Sequence, residues 1–335
     1  MIALSIVIPI FNEQETILDL VCCIESELDN IREELRGVQK LQGNATIEIL
    51  FVDDGSTDGS RQMISSFVAN NSIYRQINLS RNFGHQAAVA AGYKFARGQA
   101  IVIIDGDLQD PPELIKTLIS KWNQGFCVVY ALRRTRKSSL IMNTAYRLYY
   151  KIISVLSDSP VQADTGDFSL LDRTVVDIIN QLPEKERYMR GLRAWVGFRQ
   201  TSLEYDRPER KTGKTKYSIA RLVKLAIQGL TSTTVKPLFL SGILTIMSIV
   251  LISAIGLYAL LSKWFVPENQ MPVGWTSMIA TVSIVGFAQL LSTWLLSVYI
   301  ARLFREVISR PTFIVESDSL PTEHLSKPMT TNREQ

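Results

Sequence analysis

Ala100-Ile-Val-Ile-Ile-Asp-Gly-Asp-Leu-Gln-Asp-Pro-Pro-Glu113 is the stretch on which the fold turns. Five apolar residues run without a polar break and stop at two carboxylates with only Gly106 between them. An apolar run this short, bounded by turn residues, reads as a strand buried on both faces. The same pattern recurs upstream. Leu4–Ile10 runs into Pro9-Ile-Phe-Asn-Glu13, and Ile47–Val52 into Asp53-Asp-Gly-Ser-Thr-Asp-Gly-Ser60. Tyr74–Leu79 and Cys127–Leu132 complete the set of strand candidates. Helical patterns fill the gaps at Glu15–Leu35, Ser60–Val68, Gln86–Ala96 and Glu113–Asn123. Strand–helix alternation with apolar strands predicts an α/β domain with a mostly parallel sheet covered on both faces. Ligands of such sheets bind beyond the carboxyl ends of the strands, so the three polar clusters should converge on one edge.

The chemistry of that edge follows from its residue types. Asp105 and Asp107 offer hard oxygen ligands in a turn, which suit Mg²⁺ or Mn²⁺ and leave room for a diphosphate to complete the shell. Other nucleotide folds fit poorly. There is no Gly-x-Gly-x-x-Gly. Gly213-Lys-Thr215 imitates the end of a P-loop, but Pro208 stands where the leading Gly belongs and no strand precedes it. Cys22, Cys23 and Cys127 lack metal spacing and read as reduced core residues of a cytosolic domain.

Further along, Asp172–Gln181 and Arg187–Val196 read as helices and Gln200–Tyr205 as a strand. Composition then shifts. The 335 residues carry a net charge of only +4, but basic residues cluster at Arg207–Tyr217. The cluster leads into apolar sequence, so a membrane surface or a phosphate ligand is expected there and nucleic acid is not. Residues 218–236 are amphipathic and suit an interfacial helix. Leu238–Ser262 and Trp275–Ala301 contain no charged residue, and each is long enough to span a bilayer. Lys214, Lys216, Arg221, Lys224 and Lys236 precede the first span, and Arg302, Arg305 and Arg310 follow the second. The positive-inside rule puts both ends in the cytoplasm. The apolar start, Leu4–Ile10, reads as a strand and not as a signal peptide. The expected division is a catalytic domain over 1–217, the interfacial helix, a two-span hairpin with flanks over 237–310, and a disordered polar tail over 311–335.

These clusters resemble the family-2 glycosyltransferases of GT-A fold. The closer likeness is to polyprenyl-phosphate glycosyltransferases, the bactoprenol glucosyltransferases and dolichyl-phosphate mannose synthases. The strings that carry it are Pro9–Glu13, Asp53–Ser60, Asn82-Phe-Gly-His-Gln-Ala-Ala88, Asp105–Glu113, Thr165-Gly-Asp-Phe168, Arg190-Gly191, Trp195-Val-Gly-Phe198 and Gly213-Lys-Thr-Lys-Tyr217. The last has Thr215 where the family usually has Ser, which keeps the hydroxyl. The resemblance implies inverting transfer of a hexose from a nucleotide diphosphate sugar to a polyprenyl phosphate, undecaprenyl or dolichyl, at the cytoplasmic membrane face. UDP-glucose is the expected donor, ahead of a GDP-sugar. A bacterial inner membrane is expected ahead of the endoplasmic reticulum, and a homo-oligomer is expected.

The resemblance also implies roles. Pro9, Phe11, Glu13, Asp53 and Asp54 would hold the nucleoside. Asp105, Asp107 and Gln109 would hold Mg²⁺ or Mn²⁺ and the diphosphate. Arg133, Arg210, Lys214 and Lys216 would neutralise phosphates. Asp167 would stand at the acceptor side of the anomeric carbon, and with Asp107 is the expected catalytic residue. A phosphate monoester has its second pKa at about 6 and needs little deprotonation at neutral pH, so Asp167 can position or polarise without acting as a base. His85 fits either a substrate contact or a helix N-terminus. A processive polysaccharide synthase is the first alternative, but it would carry Gln-x-x-Arg-Trp, and Arg193-Ala-Trp195 lacks that Gln. A non-catalytic sugar-nucleotide-binding scaffold is the second, and the intact Asp105, Asp107 and Asp167 argue against it.

Overall fold

A computed structural model describes residues 2–133, 165–185, 187–206, 236–265 and 274–319. The chain divides into two compact units, Met1–Arg147 with Ser159–Tyr217 and Pro311–Gln335, and Leu148–Asp158 with Ser218–Arg310.

The first unit is an eight-stranded sheet with helices on both faces. Its strands are β1 (Leu4–Ile10), β2 (Ile47–Asp53), β3 (Tyr74–Leu79), β4 (Ala100–Ile103), β5 (Val128–Arg133), β6 (Thr165–Asp172), β7 (Gln200–Tyr205) and β8 (Val315–Asp318). They lie in the order β7-β5-β6-β4-β1-β2-β3-β8. The helices are α1 (Gln14–Arg36), α2 (Ser60–Asn70), α3 (His85–Phe95), α4 (Ile115–Asn123), α5 (Arg173–Gln181) and α6 (Met189–Trp195).

The apolar runs lack alternation because successive side chains enter two different cores. Leu4, Ile6, Ile8 and Ile10 pack on the α1 and α4 side with Ile17, Leu20, Ile24 and Trp122. Val7 points to the α3 and α5 side with Val89, Ala90, Val175 and Ile179. β2 and β4 split likewise, with Phe51 and Val102 on one face and Val52 and Ile103 on the other. Burying each such side chain contributes about 1.5–3 kcal/mol. α3 lies close on the sheet because its buried face is small. A Cβ at Gly92 would meet Val7 Cγ1 at 2.2 Å.

The sheet is mixed with a parallel majority: β1 pairs in parallel with β2 and β4, β2 with β3, and β5 with β7, while β6 runs antiparallel to β4 and β5, and β8 antiparallel to β3. Two expectations change. The tail over 311–335 is not disordered throughout. Residues 315–318 form β8, Phe313 packs against Phe95, and Asp318 pairs with Arg75. Cys22 and Cys23 are free and exposed on α1, off the face formed by Ile17, Leu20, Val21 and Ile24. The apolar helices of the second unit, α7 (Lys236–Phe265) and α8 (Trp275–Ile308), pack against each other. Among the described residues only Thr281–Ile308 is long and apolar enough to cross a membrane, and Ser241–Ile255 is a shorter apolar stretch. Ile246, Val250, Val282, Phe287 and Leu290 are exposed along α7 and α8. The expected interfacial helix at 218–236 lies, but for Lys236, outside the described residues.

Candidate active site

The polar clusters meet at the carboxyl edge of β1, β2 and β4. After β1 the chain turns at Asn12, which adopts φ 55°. This turn is laced to the segment after β2. Asn12 N–H donates to Ser56 Oγ (3.1 Å), and Asn12 Oδ1 accepts from Thr57 N–H (2.8 Å). Glu13 N–H donates to Ser60 Oγ (3.1 Å), and Gln14 N–H to Asp58 Oδ2 (3.2 Å). Much of the Asp53–Ser60 string therefore spends its side chains on holding two loops together. Gly55 is required within it: φ is +71°, and a Cβ would meet the Arg81 backbone at 2.5 Å.

The paired aspartates face inward. Asp53 is fully buried, accepting from Ser56 N–H (3.0 Å) and Arg61 Nε (2.9 Å). Asp54 accepts the N–H groups of Phe83 (2.7 Å) and Gly84 (2.9 Å). Burial raises the Asp54 pKa against the lowering effect of those two hydrogen bonds. Both carboxylates thus fix loops around the edge. Pro9 is buried at the end of β1, whereas Phe11 is 43% exposed and Glu13 accepts from Thr16 Oγ1 (3.2 Å).

The segment after β4 is bent by Leu108, with φ 59°, and pinned by Gln109 N–H donating to Asp107 Oδ1 (3.2 Å). Asp110 is buried beneath it and accepts from Tyr205 OH (2.8 Å) and Asp105 N–H (3.4 Å). Burial, then the charge of Asp110, pushes the Asp105 pKa up to about 7, and Asp167 and Asp107 add to the effect. That crowding of carboxylates is electrostatically costly, and a divalent cation at Asp105 and Asp107 would relieve it. Among the described residues no group of three His, Cys, Asp or Glu is arranged to hold a metal ion alone. The donor set fits a shell shared with the oxygens of a diphosphate.

β6 brings the third carboxylate. Ile103 stands opposite Ser169 in the antiparallel β4–β6 ladder, and the same register carried two residues further sets Asp105 across from Asp167. Asp167 is buried and accepts both Arg190 Nε (2.9 Å) and Nη2 (2.7 Å). His85 Nε2 lies 3.1 Å from Asp167 Oδ2 and 3.6 Å from Asp105 Oδ1. Burial alone would raise the Asp167 pKa. The Arg190 and His85 contacts outweigh it and hold the carboxyl well below its usual range. Burial works against the charged imidazole, yet the Asp167 hydrogen bond and the charges of Asp105 and Asp167 lift His85 to about 9.

Asp105, Asp107 and Gln109 thus share one turn, with Asp167 facing it. Arg133 ends β5 opposite Tyr205 in the ladder with β7. Arg210, Lys214 and Lys216 lie outside the described residues. Sequence reasoning gave no role to Arg190 or Arg61, and left His85 open. Their only sequence signal was position, within or beside the motif strings.

The family profile described as glycosyl transferase family 2 matches residues 5–179, from β1 through most of α5. An uncharacterized glycosyltransferase of Bacillus subtilis, YkcC, is 38% identical over 93% of this chain and 93% of its own length. A bactoprenol glucosyl transferase of Shigella phage SfX is 33% identical over 94% of this chain and 99% of its own. A prophage bactoprenol glucosyl transferase homolog of Escherichia coli is 32% identical over 93% and 98%. The mixed α/β sheet, the carboxylates gathered at its edge and these full-length likenesses have one reading: the chain belongs to glycosyl transferase family 2 and is a glycosyltransferase.

Proposed function

We propose that the protein transfers a hexose, glucose from UDP-glucose, to a polyprenyl phosphate at the cytoplasmic face of a bacterial inner membrane. One observation carries the reading most. Asp167 faces Asp105 across β4 and β6, on the side of β4 away from β1 and β2, so an acceptor pole and a nucleotide pole flank one metal-binding turn. The bactoprenol glucosyl transferases similar to this chain over nearly its whole length support the lipid acceptor and glucose. The exposed apolar side chains of α7 and α8 support membrane insertion, and the basic residues flanking the two uncharged stretches support a two-span hairpin with both ends cytoplasmic.

In this reading Pro9, Phe11 and Glu13 line the nucleoside pocket, and Asp53 and Asp54 hold its walls. Asp105, Asp107 and Gln109 hold Mg²⁺ or Mn²⁺, which would neutralise charge developing on the departing diphosphate. Arg133, Arg210, Lys214 and Lys216 add fixed positive charge around the phosphates. The acceptor, mostly a dianion at neutral pH given a second pKa of about 6, attacks without needing a strong base. Direct attack inverts the anomeric configuration, giving a β-linked lipid from an α-linked donor.

The test is transfer of radiolabelled glucose from UDP-glucose into an organic-extractable lipid, with the full chain in detergent and a short polyprenyl phosphate as acceptor. Labelled lipid supports the reading. A water-soluble polymer, or no product from any UDP- or GDP-sugar, overturns it.

A further inference from the structure

Asp167 occupies the place expected of the residue that acts at the acceptor, yet its carboxylate is already engaged. It accepts a two-point contact from Arg190, at 2.9 and 2.7 Å, and stands 3.1 Å from His85. With 3% of its side chain exposed, it has little surface left to offer a substrate. Arg190 differs. It is 37% exposed, and Asp167 occupies only the edge of the guanidinium formed by Nε and Nη2. The edge formed by Nη1 and Nη2 is the one shaped to take two oxygens of a phosphate side by side.

We infer that Arg190, oriented by Asp167, binds the phosphate monoester of the acceptor. The inference rests on the polyprenyl phosphate reading above and assigns the phosphate contact within it. Sheet order separates acceptor from donor. From β6 the strands run β4, β1, β2, so Asp105 lies between Asp167 and the loops after β1 and β2. A phosphate at Arg190 is therefore on the far side of the metal-binding turn from the nucleoside pocket. Charge points the same way. An anionic acceptor approaching Asp105 and Asp107 meets repulsion, and Arg190 is the guanidinium held on the Asp167 side of them. Asp167 then works as a positioning residue: it fixes the guanidinium plane, which a flexible arginine would otherwise hold at an entropic cost.

The competing reading is structural, with the ion pair only fastening α6 to β6. Equilibrium binding separates the two without turnover. Full-length protein in detergent would be titrated with a short-chain polyprenyl phosphate, and separately with UDP and Mn²⁺. Arg190→Gln should weaken polyprenyl phosphate binding about tenfold or more, the loss expected for a charge-assisted contact, and leave UDP binding within about twofold. Arg190→Lys, which keeps the charge but not the paired donors, should fall between. Asp167→Asn should show the same selective loss, and the double variant should be no weaker than Arg190→Gln alone. Unchanged acceptor binding in Arg190→Gln and Arg190→Lys overturns the inference. So does a loss confined to UDP, which would give Arg190 to the donor diphosphate. Equal loss of both ligands would mark a structural tie and overturn it as well. If the wild-type chain binds UDP but no polyprenyl phosphate, the proposed acceptor itself falls, an outcome distinct from any failure of the variants.

Discussion

Arg75 and Asp318, 243 residues apart in sequence, form a two-point ion pair, with Nε–Oδ1 at 3.0 Å and Nη2–Oδ2 at 2.6 Å. Their side chains are 7% and 8% exposed, and Arg75 also reaches Glu48 Oε1 on β2 at 3.4 Å. Removing one partner of a buried pair leaves the other charge uncompensated. Asp318→Ala should therefore destabilise the catalytic domain by about 2–4 kcal/mol, less than complete loss because Glu48 stays beside Arg75. Denaturant unfolding followed by tryptophan fluorescence checks this. A change under about 0.5 kcal/mol would mean the pair is exposed in solution.

Metal removal should stop transfer. Asp105 is crowded by Asp110, Asp167 and Asp107, and a cation is the natural relief. EDTA should abolish product, and Mg²⁺ or Mn²⁺ should restore it. Asp107→Asn should lose at least about a hundredfold in turnover while unfolding at the wild-type denaturant concentration. Turnover of that variant in EDTA at the wild-type rate would refute the assignment.

His85 makes the metal-free protein sensitive to alkali. Its pKa is lifted from 6.5 to about 9. A group with a raised folded pKa stabilises the fold fully below its unfolded pKa and loses that contribution as pH rises through the folded value. The stability difference between wild type and His85→Gln should thus be largest at about pH 6 and shrink towards about pH 10. Thermal unfolding in EDTA across that range is the measurement, and a difference that grows with pH would reverse the sign.

The proposed hairpin topology has an internal control. Cys22 and Cys23 are exposed on α1. In intact cells an impermeant thiol reagent should miss them and label Asn269→Cys, in the segment between α7 and α8. After the membrane is broken all three should react. Labelling of Cys22 and Cys23 from outside would invert the orientation.

How far the sequence could be read depended on how local the stabilising contacts are. β1, β2 and β4 were legible because burial on both faces makes them continuously apolar, and their polar ends followed directly. β6 was not, since it opens on Thr165-Gly-Asp and its clearest signal was a motif. β8, Val315-Glu-Ser-Asp318, has one apolar residue and is held by Asp318–Arg75 and Asn78–Ser317, contacts with residues far upstream. Asp53 and Asp54 read as nucleoside contacts from their motif, and nothing local disclosed Arg61 or the Phe83 and Gly84 amides as further partners. Cys22 and Cys23 were misread because helical phase, and not residue type, decides which side of α1 faces water.

Because β8 closes the sheet after α8, the apolar helices are a loop inserted into the catalytic domain and not a trailing anchor. Both ends of the insertion are stitched to folded protein, upstream through β7 and downstream through β8. A catalytic domain free of the apolar helices is therefore not reached by stopping the chain before α7, which discards a strand and strips Glu316 from Arg61 (2.9 Å). It calls for excising 236–310 and bridging the gap. Were the apolar helices pulled, the domain would feel force at the two opposite edges of one sheet, β8 and β7, so load would be carried across all of its strands.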